Sequence, residues 1–249
     1  MNGERLDIRV TGAGQPLLLV HGGVNREETW RAQEPLAERW KLIVPARRGF
    51  APSPPADRQD FEVDARDIGD LLADEPAHCV GFSYGGVSLA VAAAADPSRL
   101  LSLTLIEPAL FALAMDRPEV RELVALAQAY TGDDPAARER ARAAFEEVAR
   151  VRFPSHPEQE RAFVEARRLA PGLRFPGEAR PDLAAVAAAG VPSLVVSGDH
   201  HPAIEAVCDA LAERLGAERA RLEGCGHAVQ HAPGFNDLLE RFLLDAGDP

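Results

Sequence analysis

The 249-residue sequence predicts an α/β fold, in which helices cover both faces of a mostly parallel sheet. Short apolar runs of strand length, such as Pro16 to Val20, alternate with longer amphipathic stretches of helical period. Strands separated by helices favour a parallel sheet, because parallel neighbours need a crossover connection. From Phe111 to Arg180 the chain shows charged helical stretches without a convincing strand, which indicates a helical insertion.

The individual elements follow from this alternation. Strands are predicted at Leu6 to Val10, Pro16 to Val20, Trp40 to Val44, His78 to Gly81, Leu101 to Ile106, Val191 to Ser197 and Ala220 to Leu222. Helices are predicted at Glu27 to Arg39, Phe61 to Ala73 (with its acidic residues facing solvent), Val87 to Ala95, Glu119 to Tyr130, Pro135 to Arg150, Pro157 to Leu169, Ala203 to Leu215 and Phe235 to Leu244. We therefore expect a core domain of residues 1–110 and 186–249 and a helical lid of residues 111–185.

Composition and charge narrow the class of protein. The net charge is −12, so binding to nucleic acid would gain nothing from counterion release, and we expect no such partner. The three cysteines, Cys79, Cys208 and Cys225, are scattered and form no disulfide pattern, which favours a reducing compartment. The start of the chain does not resemble a signal peptide, and the apolar run from Val87 is too short to span a bilayer. We expect a cytoplasmic monomer or homodimer that acts on a small molecule and does not bind membranes.

A nucleophile motif stands between a predicted strand and an alanine-rich helix. The segment Gly81 to Gly85 reads G-F-S-Y-G and matches G-x-S-x-G. This pattern forms a sharp turn that lifts the serine hydroxyl above the sheet, and its glycines avoid clashes on both sides. The motif therefore predicts Ser83 as a nucleophile.

With this motif in place, the chain resembles the α/β-hydrolase family, and two further segments extend the resemblance over the sheet domain. The first is His21-Gly22-Gly23 at the end of a strand. The resemblance implies that the backbone N–H groups of Gly23 and Tyr84 form an oxyanion hole. Gly22 and Trp30 accompany this loop and are expected to border the substrate, although the tryptophan mainly packs in the family.

The second segment, Gly224-Cys225-Gly226-His227, follows the last predicted strand. It is similar to the loop that carries the catalytic histidine in the family. The order serine, acid, histidine along the chain agrees with this assignment. The resemblance therefore implies that His227 is the general base.

The acid of the triad has two candidates. The family usually places it in a segment similar to G-x-x-D-P, but the segment here is Gly198 to Pro202 and has His201 at the acid position. Asp199 lies two residues early and would serve only in a rebuilt loop. Glu107, at the end of the strand after the nucleophile helix, matches the placement in some family branches, including the Ser–Glu–His arrangement of zearalenone-type lactonases. We favour Glu107, because a buried carboxylate must stabilise the imidazolium of His227.

A second departure lies in the segment from Pro45 to Ser53, which is similar to the family's P-D-x-R-G-x-G-x-S loop. Ala46 replaces the aspartate and Ala51 the second glycine. We expect altered local hydrogen bonding in this loop. Arg47 and Arg48 are candidates for contact with a substrate carboxylate, but we expect both to be solvated.

Four histidines raise the question of a metal site. His200, His201, His227 and His231 show the spacing H-H…H-x-x-x-H, which lacks the carboxylate of a helical H-E-x-x-H arrangement. We therefore expect no metal and no other cofactor.

These motifs predict a serine hydrolase that cleaves a carboxylic ester or lactone through an acyl-enzyme on Ser83. Phe111 and Met115 begin the predicted lid and indicate an apolar substrate pocket. Two alternatives remain open at this point because the usual acid is missing. One is a non-hydrolytic or thioesterase-like biosynthetic enzyme on the same fold (a lyase, cyclase or acyltransferase), and the other is a ligand-binding module without catalysis.

Overall fold

A computed structural model describes residues 5–149, 157–224 and 226–247. The predicted α/β architecture is confirmed by a sheet with the strand order β1-β3-β2-β4-β5-β6-β7. Its first strand pairs antiparallel with β3, and the other pairs are parallel. The strands are β1 (Ile8–Thr11), β2 (Pro16–Val20), β3 (Lys41–Pro45), β4 (Ala77–Phe82), β5 (Leu100–Ile106), β6 (Ser193–Ser197) and β7 (Glu218–Arg221).

The helices follow the predicted order with two differences, one of which is an additional short helix at Leu183–Ala188 that was not predicted. The predicted helix from Glu27 to Arg39 is split into a short α-helix and a 3₁₀ segment, Arg31–Glu38, because Pro35 lies within it and lacks a backbone donor. Arg150, the predicted end of one helix, and Cys225 lie outside the described residues. The helices are α1 (Arg26–Trp30), α2 (Phe61–Asp74), α3 (Ser83–Ala95), α4 (Pro118–Thr131), α5 (Pro135–Ala149), α6 (Pro157–Leu169), α7 (Leu183–Ala188), α8 (Pro202–Leu215) and α9 (Phe235–Gly247).

The central strands of the sheet are buried on both faces, which explains their continuous apolar sequences. In β2, Leu18 and Val20 belong to the core cluster that includes residues of α2, α3 and α8. Leu17 and Leu19 point the other way and belong to the cluster that includes α9. Since side chains alternate along a strand, both sets must be apolar, and the alternating pattern of a half-exposed strand disappears.

The register of the central strands determines which loops meet. Phe82 at the end of β4 pairs with Ile106 at the end of β5, and Ile106 pairs with Val196 in β6. The residues that follow these parallel strands therefore leave the sheet side by side at its carboxyl edge. Ser83 and Glu107 are the first residues after β4 and β5.

The chain between β5 and β6 forms the predicted helical segment. Helix α4 packs against α5 and α8, while α7 packs against α3 and α8 of the sheet domain. The expected domain boundary at residue 186 falls within α7. Among the described residues, none of the helices is both long and apolar enough to cross a membrane.

The second glycine of the nucleophile motif provides a test of the packing. A Cβ atom at Gly85 would lie 2.1 Å from the carbonyl oxygen of His21, a backbone atom that cannot move aside cheaply. We expect Gly85→Ala to lower the free energy of unfolding by about 1–3 kcal/mol, as overpacking does. Gly69→Ala, on an exposed position of α2 with open space around it, is the matched control and is expected to raise stability by about 0.4–1 kcal/mol. Urea denaturation measures both; equal stability of the two variants would contradict the close approach.

Candidate active site

Ser83 occupies the strained turn between β4 and α3. Its φ angle is 53°, in the left-handed region that residues other than glycine rarely adopt. Such strain persists where the surrounding structure enforces it, and it is common at functional sites. The hydroxyl oxygen lies 2.9 Å from Nε2 of His227, at the floor of a cavity.

A chain of hydrogen bonds runs from Ser83 to a carboxylate. Nδ1 of His227 lies 2.6 Å from Oε2 of Glu107, so the ring connects Glu107 with the serine hydroxyl. The ring packs against Phe82, with centroids 4.8 Å apart. The backbone N–H of His227 donates to the carbonyl of Ala149 at the end of α5 (2.8 Å), which anchors the histidine loop. The geometry is that of a serine, base and acid triad.

Glu107 is held in place from several directions. Its φ angle is 41°, and its N–H donates to the carbonyl of Val196 (3.0 Å). Oε1 accepts a hydrogen bond from the N–H of Gly198 (2.7 Å), and the side chain is fully buried. Burial opposes ionisation, but the neighbouring rings of His200 and His227 more than offset it, so the pKa of Glu107 lies below its ordinary value. The carboxylate is therefore charged at neutral pH.

Asp199, the other candidate for the triad acid, makes its contacts away from His227. Asp199 is exposed, its N–H donates to Oε1 of Glu205 (3.1 Å), and within the described residues no hydrogen bond joins it to His227. His201, at the usual acid position, accepts the N–H of Ala203 on Nδ1 (3.2 Å) and caps α8. The G-x-x-D-P segment thus serves as a helix cap here, and the structure favours Glu107 over Asp199.

His200 is a further neighbour of the acid that the motifs did not reveal. Its buried Nδ1 lies 3.3 Å from Oε1 of Glu107, but without the alignment of a hydrogen bond. Glu107, His200 and His227 bring potential metal-ligating atoms within 4.8 Å of one another. Both carboxylate oxygens of Glu107 already accept hydrogen bonds, from Gly198 and His227, as a triad acid requires.

The expected oxyanion hole borders the same cavity. Gly23 and Tyr84 both line it beside Ser83. The N–H of Tyr84 belongs to the first turn of α3, where N–H groups have no partner within the helix. Gly22 lies against the nucleophile, since a Cβ atom there would approach Cβ of Ser83 to 3.0 Å.

Arg47 is not solvated, and this expectation was wrong. Its side chain is 3% exposed and forms an ion pair with Asp64, which is also buried rather than facing solvent. Burial raises the pKa of Asp64, and the guanidinium opposes this by favouring the carboxylate. Arg48 is the more exposed of the two arginines and pairs with Asp67 (2.7 Å). The 3.6-residue period of α2 puts Asp64 on the same face as the buried Phe61 and Ile68, so the expectation that its acidic residues face solvent was wrong for this one.

A cavity of about 600 Å³ lies between the triad and helices α4, α5 and α6. Two polar residues at its wall, Glu28 and Gln159, connect α1 with α6 through a 2.6 Å hydrogen bond; both are buried, and the sequence patterns did not predict this contact. The apolar and aromatic lining includes Phe50, Phe82, Phe111, Tyr130, Phe145, Phe163, Leu169, Leu173 and Phe175.

Trp30 and Met115 were expected to contact the substrate, but neither lines the cavity. Trp30 is 1% exposed and packs in the core cluster that contains α9. Met115 is 40% exposed, because Phe111–Ala114 forms a 3₁₀ turn in which Phe111 and Ala114 share the buried face and the next residue points outward. Phe111 lines the cavity as expected.

Known proteins share this fold and sequence pattern. The sequence profile of the alpha/beta hydrolase family matches residues 17–235. The chain belongs to this family. The hydrolase is 30% identical to 2-hydroxymuconate semialdehyde hydrolase from Pseudomonas sp. strain CF600, over 98% of this chain and 92% of that protein. The predicted α/β-hydrolase fold and the prediction of a hydrolase-type enzyme are confirmed.

Two solved structures illustrate the shared fold of this hydrolase. Est816, described as an N-acyl homoserine lactone degrading enzyme, superposes with a TM-score of 0.70 at 23% identity, over 95% of this chain and 96% of that chain. The carboxylesterase CesB of Bacillus subtilis superposes with a TM-score of 0.71 at 19% identity, over 96% and 87%. At these identities the likeness shows the fold alone.

The choice of acid can be tested with two matched variants. We expect Glu107→Gln to lower kcat by roughly 10³- to 10⁴-fold, because an amide cannot stabilise the imidazolium. Asp199→Asn is the control and is expected to stay within about twofold of wild type, since it removes a charge from an exposed side chain. Steady-state kinetics and the rate of labelling by a fluorophosphonate measure both. A large loss in Asp199→Asn with little loss in Glu107→Gln would assign the acid to Asp199.

The pH dependence follows from the ionised state of Glu107. A carboxylate whose folded pKa is lowered keeps its charge as the pH falls until that lower value is reached, and the pKa here lies below 4.5. We therefore expect Glu107 to keep its charge, and to add no step of its own to the acid side of the kcat/KM profile for a neutral substrate, down to about pH 4.5. A slope of two above that pH would mean that Glu107 titrates in the same range.

Proposed function

We propose that this hydrolase cleaves carboxylic esters or lactones through an acyl-enzyme on Ser83. The observation that carries the proposal is the continuous connection from Oγ of Ser83 through the ring of His227 to Glu107, at 2.9 and 2.6 Å. The connection ends at the floor of a largely apolar cavity. A hydroxyl in contact with a base that is oriented by a buried carboxylate is equipped for nucleophilic attack.

In the acylation step, Nε2 of His227 accepts the hydroxyl proton while Oγ of Ser83 attacks the carbonyl carbon. The N–H groups of Gly23 and Tyr84 stabilise the oxyanion, and Glu107 stabilises the imidazolium. When the tetrahedral intermediate collapses, the C–O bond to the leaving group breaks and His227 delivers its proton to that oxygen. An ester releases an alcohol, whereas a lactone opens to a hydroxyacyl group that stays on the serine.

Deacylation repeats these steps with water. His227 takes a proton from the water that attacks the acyl carbon, and the second oxyanion occupies the same hole. Collapse breaks the bond to Oγ, His227 returns the proton to Ser83, and a carboxylic acid leaves. The product therefore contains one oxygen atom from water.

The cavity supports a small, largely apolar substrate. Its volume of about 600 Å³ lies within the range of pockets for drug-sized molecules. Residues of α4, α5 and α6 line it opposite the triad, which supports the assignment of residues 111–185 as a lid that selects substrates. The name of the 30% identical relative, a semialdehyde hydrolase, agrees with a hydrolytic reaction.

The proposal predicts covalent labelling of one serine. A fluorophosphonate is expected to label the wild type, and Ser83→Ala is expected to abolish both labelling and turnover of neutral esters and lactones. Ser98→Ala is the matched control, because Ser98 is exposed and lies beyond the far end of α3, in the 3₁₀ turn Pro97–Arg99. Retained turnover in Ser83→Ala would disprove the acyl-enzyme mechanism.

Labelled water separates hydrolysis from the alternative reactions. In H₂¹⁸O, mass spectrometry of the acid product is expected to show one incorporated ¹⁸O atom. Serine labelling without incorporation would indicate transfer of the acyl group to another acceptor. A folded wild type that does not react with the probe would instead favour a ligand-binding module.

A further inference from the structure

Arg47 makes an unusual set of contacts for a buried side chain. Its Nε donates to the carbonyl of His21 (2.9 Å), its Nη2 donates to the carbonyl of Gly22 (2.6 Å), and its Nη1 bonds to Asp64. A guanidinium is planar and rigid, so three acceptors bound to it are held in one fixed arrangement. Two of these acceptors belong to the loop that carries Gly23.

The peptide between Gly22 and Gly23 links this contact to the proposed oxyanion hole. The carbonyl of Gly22 and the N–H of Gly23 belong to the same planar trans peptide and point in opposite directions. Because Nη2 of Arg47 binds that carbonyl, the N–H of Gly23 points away from the guanidinium. A rotation of the peptide that misdirected this N–H would break the bond to Arg47.

His21 holds the same loop from the other side. The backbone N–H of Arg47 donates to Nε2 of His21 (2.9 Å), so Nε2 is the acceptor and Nδ1 carries the hydrogen. Nδ1 then donates to the carbonyls of Val24 (2.7 Å) and Gly22 (3.1 Å). Burial, with Arg47 nearby, holds the pKa of His21 well below its ordinary value, so the ring keeps this neutral form. The carbonyl of Gly22 thus accepts from two side chains.

A contribution to folding stability does not by itself explain why Arg47 is buried beside this loop. Both partners of its ion pair with Asp64 are almost fully buried, and the desolvation of two buried charges offsets most of their attraction. The adjacent Arg48 forms an ion pair with Asp67 nearer the surface. What distinguishes Arg47 is its pair of bonds to consecutive carbonyls beside the nucleophile.

We propose that Arg47 is a positioning residue that aims the N–H of Gly23 at the reacting carbonyl oxygen. The inference rests on the proposed serine mechanism and names a residue that sets the geometry of its oxyanion hole. Arg47 acts through the peptide plane and does not need to touch the substrate. Its loss weakens binding of the transition state more than binding of the substrate.

The first variant is Arg47→Lys, which keeps a positive charge opposite Asp64 but replaces a rigid fork by a single ammonium group. We expect kcat to fall by about 10- to 100-fold with KM within about twofold of wild type, since one oxyanion donor is misdirected rather than removed. Arg48→Lys is the matched control and is expected to keep wild-type kinetics. Circular dichroism and thermal unfolding check that each variant folds.

A second variant keeps the test valid if the lysine is not tolerated. In Arg47→Met/Asp64→Leu both charges are replaced by apolar side chains, a change that often preserves folding. The carbonyls of His21 and Gly22 then lose their hydrogen bonds to the guanidinium. We expect a folded protein whose kcat falls at least as far as in Arg47→Lys.

A transition-state analogue separates positioning from a merely structural role. A trifluoromethyl ketone forms a covalent hemiketal with Ser83, and the oxyanion of this hemiketal occupies the proposed oxyanion hole. The corresponding secondary alcohol binds the same cavity without forming a covalent bond. We expect Ki of the ketone to rise in the Arg47 variants by the same factor as kcat/KM falls, while Ki of the alcohol stays unchanged. Folded variants with a wild-type kcat and ketone Ki, or with equal losses for ketone and alcohol, would overturn the proposal. A wild type without Ser83-dependent turnover would overturn this proposal and the serine mechanism together.

Discussion

The carboxylate of Glu107 joins three loops that are distant in the sequence. It follows β5, accepts a hydrogen bond from Gly198 after β6, and binds His227 after β7. A buried charge without partners costs several kcal/mol, so these loops must close around the carboxylate for it to be tolerated. Once they do, the ring of His227 is oriented toward the hydroxyl of Ser83, 2.9 Å away.

Backbone strain is concentrated at the same edge of the sheet. Among the described residues, the non-glycine residues with positive φ are Ser83, Glu107 and Asp199, which follow β4, β5 and β6. The parallel register brings these strand ends together, and the apolar core on both faces holds the strands rigidly enough to support the strained turns. The packed sheet therefore fixes the positions of these three residues relative to one another.

Polar contacts connect the reactive centre with the helices above it. The N–H of His227 donates to the end of α5, and the hydroxyl of Tyr84 donates to the carbonyl of Arg174 (3.0 Å). Glu28 binds Gln159 on α6 across the cavity wall. These bonds tie α1, α3 and the loop of His227 to α5, α6 and the segment that follows α6, so the shape of the cavity and the position of His227 depend on each other.

Local patterns in the sequence determined the strands, most of the helices, the Ser83 turn and the loop of His227, because periodicity and turn chemistry act over a few residues. Only the tertiary structure placed Glu107 rather than Asp199 beside Nδ1 of His227, and buried Arg47 against Asp64. Which carboxylate reaches Nδ1 of His227 depends on which strands are neighbours and in what register, and such long-range pairing leaves no local signal. For the same reason, the outward turn of Met115 and the core position of Trp30 became visible only when the elements had packed.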